Sequence, residues 1–235
     1  MRSHLNTQAP LVHEVLAAVL RVRSATVQVL LWQRALEPHV GRWSLPGGRL
    51  RMDEDVETSV RRQLAEKVDI RKLSHVEQLA VFSAPDRVPG PRVVATAFLG
   101  VVPTDVDPDV PEDTAWHSVD DLPRTAFDHR DIILRARDRL RAKLSYTTIG
   151  SALAPASFTI SQLRDIYSAA LGYRVSATNL QRVLSRRGVL EPTGEIAPPG
   201  RAGGRPAALY AFTCNGVHVT DAFAVLKPPS NKRRG

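Results

Sequence analysis

Residues 43–70 read WSLPGGRLRMDEDVETSVRRQLAEKVDI, and this stretch decides the fold of the first part of the chain. It opens on Pro46-Gly47-Gly48, a run of turn-forming residues. Apolar side chains then recur at every fourth position, at Val56, Val60, Leu64 and Val68. That spacing predicts an amphipathic helix over about residues 55–68, with its apolar stripe turned towards a core.

The residues before and after this helix show patterns typical of several strands and one further helix. Runs rich in Val and Leu predict two strands within 11–32, and further strands are expected at about 75–83 and 92–102. The segment AWHSVDDLP at 115–123 predicts a short strand followed by a turn. A Pro- and Asp-rich loop is expected at 103–113. A second long helix is expected at about 129–144, with one apolar face formed by Ile132, Ile133, Ala136 and Leu140. The order strand–strand–helix–strand–strand–helix predicts a mixed α/β layered domain.

The spacing of residues within 43–70 also resembles the Nudix box, the signature of a family of diphosphate hydrolases. Six of its nine defined positions are present, namely Gly48, Glu54, Arg62, Leu64, Glu66 and Ile70. Three positions depart from it: Gln63 and Lys67 replace glutamates, and Asp69 replaces a glycine. The resemblance implies an α/β (α+β) Nudix fold for residues 1–145.

The departures bear on chemistry, because the resemblance implies cleavage with Mg²⁺ or Mn²⁺. These cations require oxygen ligands and activate the attacking water. Positions 63, 66 and 67 lie within an arc of about 100° on a helix, and Glu66 is the acid among them. Lys67 would repel a cation. We therefore expect a binding domain without efficient hydrolysis, without a required cofactor and without magnesium, in which the fixed cation Lys67 could hold a diphosphate.

The candidate ligand-binding residues surround the box and are Arg42, Trp43, Arg49, Arg62, Glu66, Lys67 and His129. The three arginines can pair bidentately with phosphate, although Arg62 could instead orient Glu66. Trp43 could stack on a base or pack in the core. His129 could line the ligand pocket or serve the start of its helix.

The charge of the chain is distributed unevenly. Residues 146–235 carry 11 Lys and Arg against four Asp and Glu, a net charge of +7, whereas the 145 residues before them carry the remaining +1 of the total of +8. This asymmetry predicts two domains with different partners. A basic domain suits a polyanion, although a basic surface can also be merely solvated. We place a small, neutral linker at 146–157, a second domain at 158–226 and a basic, disordered tail at 227–235.

The second domain has the pattern of a winged helix-turn-helix. Thr159 can cap a helix that ends at Gly172, and Ser176 can cap a second helix that ends at Gly188. Strand GVLEP, a Gly- and Pro-rich loop at 193–205 and strand AALYAF follow. This order is typical of a DNA-binding helix-turn-helix with a wing.

Candidate DNA-binding residues lie on the second helix and in the wing: Thr178, Asn179, Arg182, Arg186, Arg187, Arg201 and Arg205. Arg and Asn side chains pair with guanine and adenine edges in the major groove, and wing arginines can contact phosphates or the minor groove. A solvated basic helix face and a flexible surface hairpin are the alternatives. RNA is disfavoured, because no aromatic platform for single strands is evident.

Taken together, the box, the stretch Phe127-Asp128-His129, the pair Phe158-Thr159 and the segment GRPAALYAF resemble the Nudix-related transcriptional regulators, the NrtR family. This resemblance implies an ADP-ribose or NAD-metabolite effector, repression of genes for NAD synthesis or salvage, a homodimer and a palindromic double-stranded DNA operator. Related regulators sense sugars. An active Nudix pyrophosphohydrolase with an accessory nucleic-acid-binding domain is the alternative, and an RNA-binding or scaffold protein is a third.

The composition limits the location of the chain. No apolar run approaches the roughly 20 residues of a membrane span, and the start MRSHLNTQAP lacks the apolar core of a secretory signal. A single cysteine, Cys214, excludes an internal disulfide framework. We therefore expect a cytoplasmic protein with no membrane partner.

Overall fold

The computed structural model describes residues 11–70, 73–198, 206–214 and 216–220. Within these ranges the first domain is built on a seven-stranded mixed sheet. Its strands are β1 (Val12–Arg23), β2 (Thr26–Gln33), β3 (Trp43–Ser44), β4 (Gly47–Arg49), β5 (His75–Phe82), β6 (Val93–Val101) and β7 (Thr114–Ser118). The strands predicted within 11–32, at 75–83 and at 92–102 are confirmed, as is the short strand predicted within 115–123, whereas the short strands β3 and β4 were not predicted.

The sheet order is β3-β2-β1-β6-β5, with β4 paired to β1 and β7 paired to β2. Strands β1 and β6 run parallel, in register from Val12 opposite Val93 to Leu20 opposite Val101, while the other pairs are antiparallel. Residues 15–20 of β1 and most of β6 are apolar and buried, as expected for strands that are covered on both faces of the sheet.

Two helices cover the faces of the sheet, α1 (Val56–Val68) on one and α2 (His129–Tyr146) on the other. The predicted stripe of α1 is confirmed, since Val60, Leu64 and Val68 are buried. Asp55 caps α1 by accepting from the Thr58 backbone N–H. None of the helices in the described ranges combines the length and the apolar character needed to cross a membrane.

The second domain is a winged helix. Its elements are α3 (Gly150–Leu153), β8 (Phe158–Thr159), α4 (Ile160–Leu171), α5 (Ala177–Arg186), β9 (Leu190–Ile196) and β10 (Ala208–Phe212), with the sheet order β8-β10-β9. The predicted caps are confirmed: Thr159 forms a capping box with Gln162, and Ser176 accepts from the Asn179 N–H. The predicted loop at 193–205 begins too early, because β9 continues to Ile196, which pairs with Ala208.

The two domains share a continuous apolar core. Leu140 and Leu144 of α2, Leu153 of α3, and Leu163 and Tyr167 of α4 belong to one cluster of buried side chains. Helix α3 thus lies inside the segment predicted as a linker, and the exact domain limits stay a prediction.

A turn of the first domain also lies against α4. Ser24 and Ala25 join β1 to β2, both with positive φ (50° and 59°). Ala25 and Asp165 of α4 line the same two grooves, of about 480 and 390 Å³. The far end of β1 therefore reaches the first helix of the helix-turn-helix.

Candidate ligand pocket and nucleic-acid interface

Two glycines bring the elements of the Nudix box together. A Cβ atom on Gly47 would lie 2.2 Å from the Val15 carbonyl oxygen, and one on Gly48 would lie 2.6 Å from the Gln63 amide. Side chains at these positions would clash, so the glycines permit the close approach of β1, β4 and α1.

A pocket of about 110 Å³ lies beside these glycines. We call it the lysine pocket; its walls include Glu14, Trp32, Arg34, Lys67, Phe127 and His129. The Lys67 ammonium donates to the Gly47 carbonyl oxygen and lies 4.8 Å from the centre of the Trp32 ring. Burial lowers the pKa of Lys67, an effect that the Glu14 carboxylate opposes.

His129 positions the loop that forms one wall of the lysine pocket. Its Nδ1 accepts a hydrogen bond of 3.0 Å from the Leu45 backbone N–H. Burial, with the positive charges of Arg87 and Arg34, lowers the pKa of His129 to about 3. The imidazole is therefore neutral near pH 7, and its proton resides on Nε2 because Nδ1 is the acceptor. The side chain both lines the pocket and holds the start of the Pro46-Gly47-Gly48 turn.

Arg62 lies next to the pocket and joins two acids of the box. Its Nε and Nη2 donate to the two carboxylate oxygens of Glu54, at 2.8 and 2.5 Å, and its Nη1 donates to Glu66 at 3.1 Å. Hydrogen bonding to Arg62 lowers the pKa of Glu54 to about 2, and the same pair raises the pKa of Arg62. The alternative in which Arg62 orients Glu66 therefore agrees with the geometry.

The residues of the box do not fit the magnesium ion that a Nudix fold implies. When its amide is oriented to satisfy both ends, Gln63 donates to the Gly47 carbonyl at 3.2 Å and accepts from Arg62 at 3.1 Å. Lys67 donates to the same carbonyl. Within the described ranges, no three His, Cys, Asp or Glu side chains are grouped so that they could hold a metal ion. The carbonyl faces two donors, where a cation would need acceptors.

A second pocket, of about 550 Å³, adjoins the first and shares Phe127 with it. We call it the arginine pocket, after Arg87 in its wall. Arg87 is buried and pairs with both oxygens of Asp128 at 2.8 and 2.9 Å, and with Glu14 at 3.4 Å. Arg34 lies 4.8 Å from the centre of the Phe127 ring. Glu14, Arg34 and Arg87 were not predicted from the sequence, because they lie in a strand, just after a strand and in a loop, none with a local motif.

The predicted ligand-binding residues separate into three groups. Lys67 and His129 line the lysine pocket, and Arg62 and Glu66 form the adjoining ion pair. The remaining residues lie elsewhere: Arg42 and Arg49 are exposed, and Trp43 packs edge-on against His117 with ring centres 4.2 Å apart. A ligand contact by Arg42, Trp43 or Arg49 stays a prediction.

Helix α5 has an exposed row of polar and basic side chains, which a recognition helix requires. Leu180, Val183 and Leu184 are at most 1% exposed and pack inward. The opposite side is exposed and carries Thr178, Asn179, Arg182 and Arg186. Arg182 Nη2 donates to Asn179 Oδ1 at 2.7 Å, so two candidate base-reading side chains are held together.

The other candidate DNA-binding residues are placed differently. Arg187 is partly buried and donates to the Ser145 carbonyl at the end of α2, at 3.0 Å. Its side chain therefore bridges to α2. Arg201 and Arg205 lie outside the described residues. Contacts of these three arginines with DNA stay predictions.

Each of the two domains matches a known protein family. Residues 12–136 match the NUDIX domain, and residues 150–212 match the NrtR DNA-binding winged helix domain. The fold and the exposed face of α5 therefore define a Nudix domain joined to a DNA-binding winged helix.

Two proteins that are similar over most of the chain are a transcriptional repressor and a protein crystallised with DNA. The ADPR responsive transcriptional repressor NtrR of Acinetobacter baylyi is 30% identical over 202 residues, which cover 83% of this chain and 79% of that protein. The crystal structure of Shewanella oneidensis NrtR complexed with a 27mer DNA superposes with a TM-score of 0.73 at 28% identity, covering 85% of this chain and 92% of that one. The chain belongs to the NrtR family of Nudix-related transcriptional regulators.

Two further likenesses concern the first domain. The NUDIX domain of Shewanella oneidensis NrtR complexed with ADP ribose has a TM-score of 0.50 at 30% identity, covering 56% of this chain and 89% of that one. The ADP-ribose pyrophosphatase of Methanocaldococcus jannaschii is 34% identical over 119 residues, covering 49% of this chain and 68% of that protein. Relatives of the first domain thus include both a Nudix domain in complex with ADP ribose and an ADP-ribose pyrophosphatase.

Proposed function

We propose that the protein is a transcriptional repressor that binds operator DNA through α5 and its wing, and that ADP-ribose binding to the Nudix domain controls this activity. The observation that carries the proposal is the exposed row Thr178, Asn179, Arg182 and Arg186 on a helix whose apolar side is fully packed. These side chains face outward because the core requires the other side of the helix, and their chemistry suits the major groove.

ADP-ribose is supported as the effector by the pockets and by the relatives. Drug-sized ligands occupy pockets of roughly 300–1,000 Å³, so the lysine pocket of about 110 Å³ suits a fragment of a nucleotide. The adjoining arginine pocket of about 550 Å³ offers space for the rest. The Acinetobacter relative is ADP-ribose responsive, and the Shewanella Nudix domain binds ADP ribose.

The proposed role of the Nudix domain is binding without hydrolysis and without magnesium. Gln63 and Lys67 stand where the box requires carboxylates, and both donate to the Gly47 carbonyl. The alternative, an ADP-ribose pyrophosphohydrolase with an accessory domain, is favoured by the likeness to the Methanocaldococcus enzyme over about half of the chain.

The same proposal includes the partners. The targets are genes of NAD synthesis or salvage, and the protein acts in the cytoplasm as a homodimer on a palindromic operator. Dimeric helix-turn-helix proteins place their recognition helices about 34–36 Å apart, one turn of DNA.

The test is a mobility-shift titration of DNA from upstream of NAD-synthesis genes, with and without ADP-ribose, at physiological salt. We expect a retarded band that ADP-ribose alters, and that a chain with both Arg182→Ala and Arg186→Ala does not give. In parallel, AMP release from ADP-ribose with Mg²⁺ is measured. Absence of a retarded band contradicts the repressor, and rapid AMP release favours the hydrolase.

A further inference from the structure

The Lys67 ammonium has a neutral carbonyl oxygen as its described hydrogen-bond partner, as does Arg34, the other cation that lines the lysine pocket. Arg62 is bound at both carboxylate oxygens of Glu54, and Arg87 is bound at both carboxylate oxygens of Asp128. The charges of these two arginines are thus offset by a carboxylate in direct contact. The charge of Lys67 remains available to a further anion.

We infer that Lys67 takes the place of a divalent cation, so that its ammonium binds the diphosphate of the ligand and the ligand binds without metal. The inference rests on the proposed function, since it specifies how the proposed effector is held. It also accounts for the disagreement between the Nudix fold and a donor set that does not fit magnesium.

The geometry supports this role for the ammonium. An ammonium has three N–H donors, and the Gly47 carbonyl accepts one of them. The Trp32 ring, 4.8 Å from Nζ, holds the side chain by a cation–π contact. The ammonium is therefore fixed at the wall of the lysine pocket with donors left for phosphate oxygens, and charge-assisted bonds of this kind are strong.

The surrounding charges favour an anion over a second cation. The charged side chains that line the lysine pocket are Arg34, Lys67 and Glu14, which together carry a net charge of +1. A divalent cation at this place would face the ammonium directly, whereas a diphosphate would complete its contacts.

The first test needs no variant. Calorimetry of the full chain with ADP-ribose is carried out in excess EDTA and in excess Mg²⁺. We expect the same affinity in both, and a strict requirement for Mg²⁺ would overturn the inference while leaving the proposed effector in place. If ADP-ribose binds under neither condition, the proposed effector is wrong, and inorganic pyrophosphate then becomes the probe for Lys67.

The second test removes the charge. Lys67→Met keeps an unbranched apolar stem, and we expect its affinity in EDTA to fall about 10- to 100-fold, the range for a lost charge-assisted hydrogen bond. Arg61→Met is the matched control, because Arg61 is an exposed cation of the same helix that pairs with Glu57. Operator binding reports that each variant is folded. Unchanged affinity of a folded Lys67→Met chain would overturn the inference.

The third test replaces the amide and the ammonium with carboxylates that can bind a divalent cation. A chain with both Gln63→Glu and Lys67→Glu places carboxylates beside the Gly47 carbonyl. We expect weak binding in EDTA that Mg²⁺ or Mn²⁺ restores at least tenfold, whereas the unaltered chain shows no such gain. Tight, metal-independent binding by the double variant would show that position 67 does not contact the diphosphate.

Discussion

Glu54 illustrates how one ion pair can hold the shape of the Nudix box. Its side chain is 6% exposed and both of its oxygens accept from Arg62. The pair joins the loop before α1 to the helix itself. It therefore maintains the geometry of the Nudix box independently of any bound cation.

This pair predicts a dependence of stability on pH. Arg62 lowers the pKa of Glu54 from 4.5 to about 2, so the stabilisation is complete above pH 4.5 and is lost as the pH falls towards 2. We expect the difference in free energy of unfolding between the unaltered chain and Glu54→Gln to shrink over this interval. Urea denaturation at several pH values measures it. Glu57→Gln, at an exposed pair with Arg61, should show little change, and a constant difference for Glu54→Gln would contradict the prediction.

His129 gives a second prediction at this scale. His129→Phe retains a ring of similar size but removes the acceptor for the Leu45 N–H. We expect a loss of about 1–3 kcal/mol in the free energy of unfolding, the cost of a buried unpaired donor. Burial lowers the pKa of His129 from 6.5 to about 3, so below pH 6.5 the unfolded state binds a proton that the folded state does not. The loss should therefore be largest near pH 8 and shrink as the pH falls towards 5. A variant with the urea midpoint of the unaltered chain at pH 8 would contradict this role.

Whether a residue of the pockets could be predicted from the sequence depended on how far along the chain its partners lie. Lys67 could be predicted because the spacing of the box fixes its place on α1. Arg87 could not, because its partners Glu14 and Asp128 are 73 and 41 positions away. Trp43 was ambiguous, since a tryptophan beside a turn can face either a ligand or the core.

At the scale of elements, the features that depend on neighbouring residues, namely helix caps and apolar stripes, could be predicted from the sequence. The caps Thr159 and Ser176 and the stripe of α1 depend on residues within one or two turns, and they were predicted correctly. The parallel pairing of β1 with β6 joins segments about 80 residues apart. The choice of partner strand over this distance depends on tertiary packing, which patterns within one segment do not encode.

The recognition helix carries the prediction at this scale. We expect Arg182→Ala to lower operator affinity by about 1–3 kcal/mol and to relax specificity at one base pair, as expected for a base-reading side chain. Fluorescence anisotropy with operator and single-base variants measures both effects at fixed salt. Arg61→Ala, an exposed cation on α1, is the control. An equal loss on every DNA sequence would instead indicate a phosphate contact.

At the scale of the whole molecule, the shared core predicts a single unfolding transition. Leu140 and Leu144 of α2 pack in the same cluster as Leu163 and Tyr167 of α4. The three tryptophans, Trp32, Trp43 and Trp116, all lie in the first domain, whereas far-UV circular dichroism also reports the winged helix. We expect the two signals to coincide during urea unfolding.

A variant sharpens this prediction. Leu144 is fully buried, so Leu144→Ala should shift both signals together to lower urea, with a loss of about 2–5 kcal/mol. Separate transitions in the unaltered chain, or a shift confined to one signal, would show that the domains unfold independently.

Strand β1 begins at the lysine pocket, where Glu14 lies, and ends at the turn whose Ala25 shares two grooves with α4. It spans roughly 35 Å at 3.3 Å per residue, within a sheet that is hydrogen-bonded on both sides. The lysine pocket and α4, the first helix of the helix-turn-helix, thus lie at opposite ends of one strand. We expect any coupling through this strand between the proposed nucleotide and operator sites to work in both directions, because linkage is reciprocal. DNA would then act as an effector of the Nudix domain, changing its affinity for the nucleotide by the same factor by which the nucleotide changes its affinity for DNA.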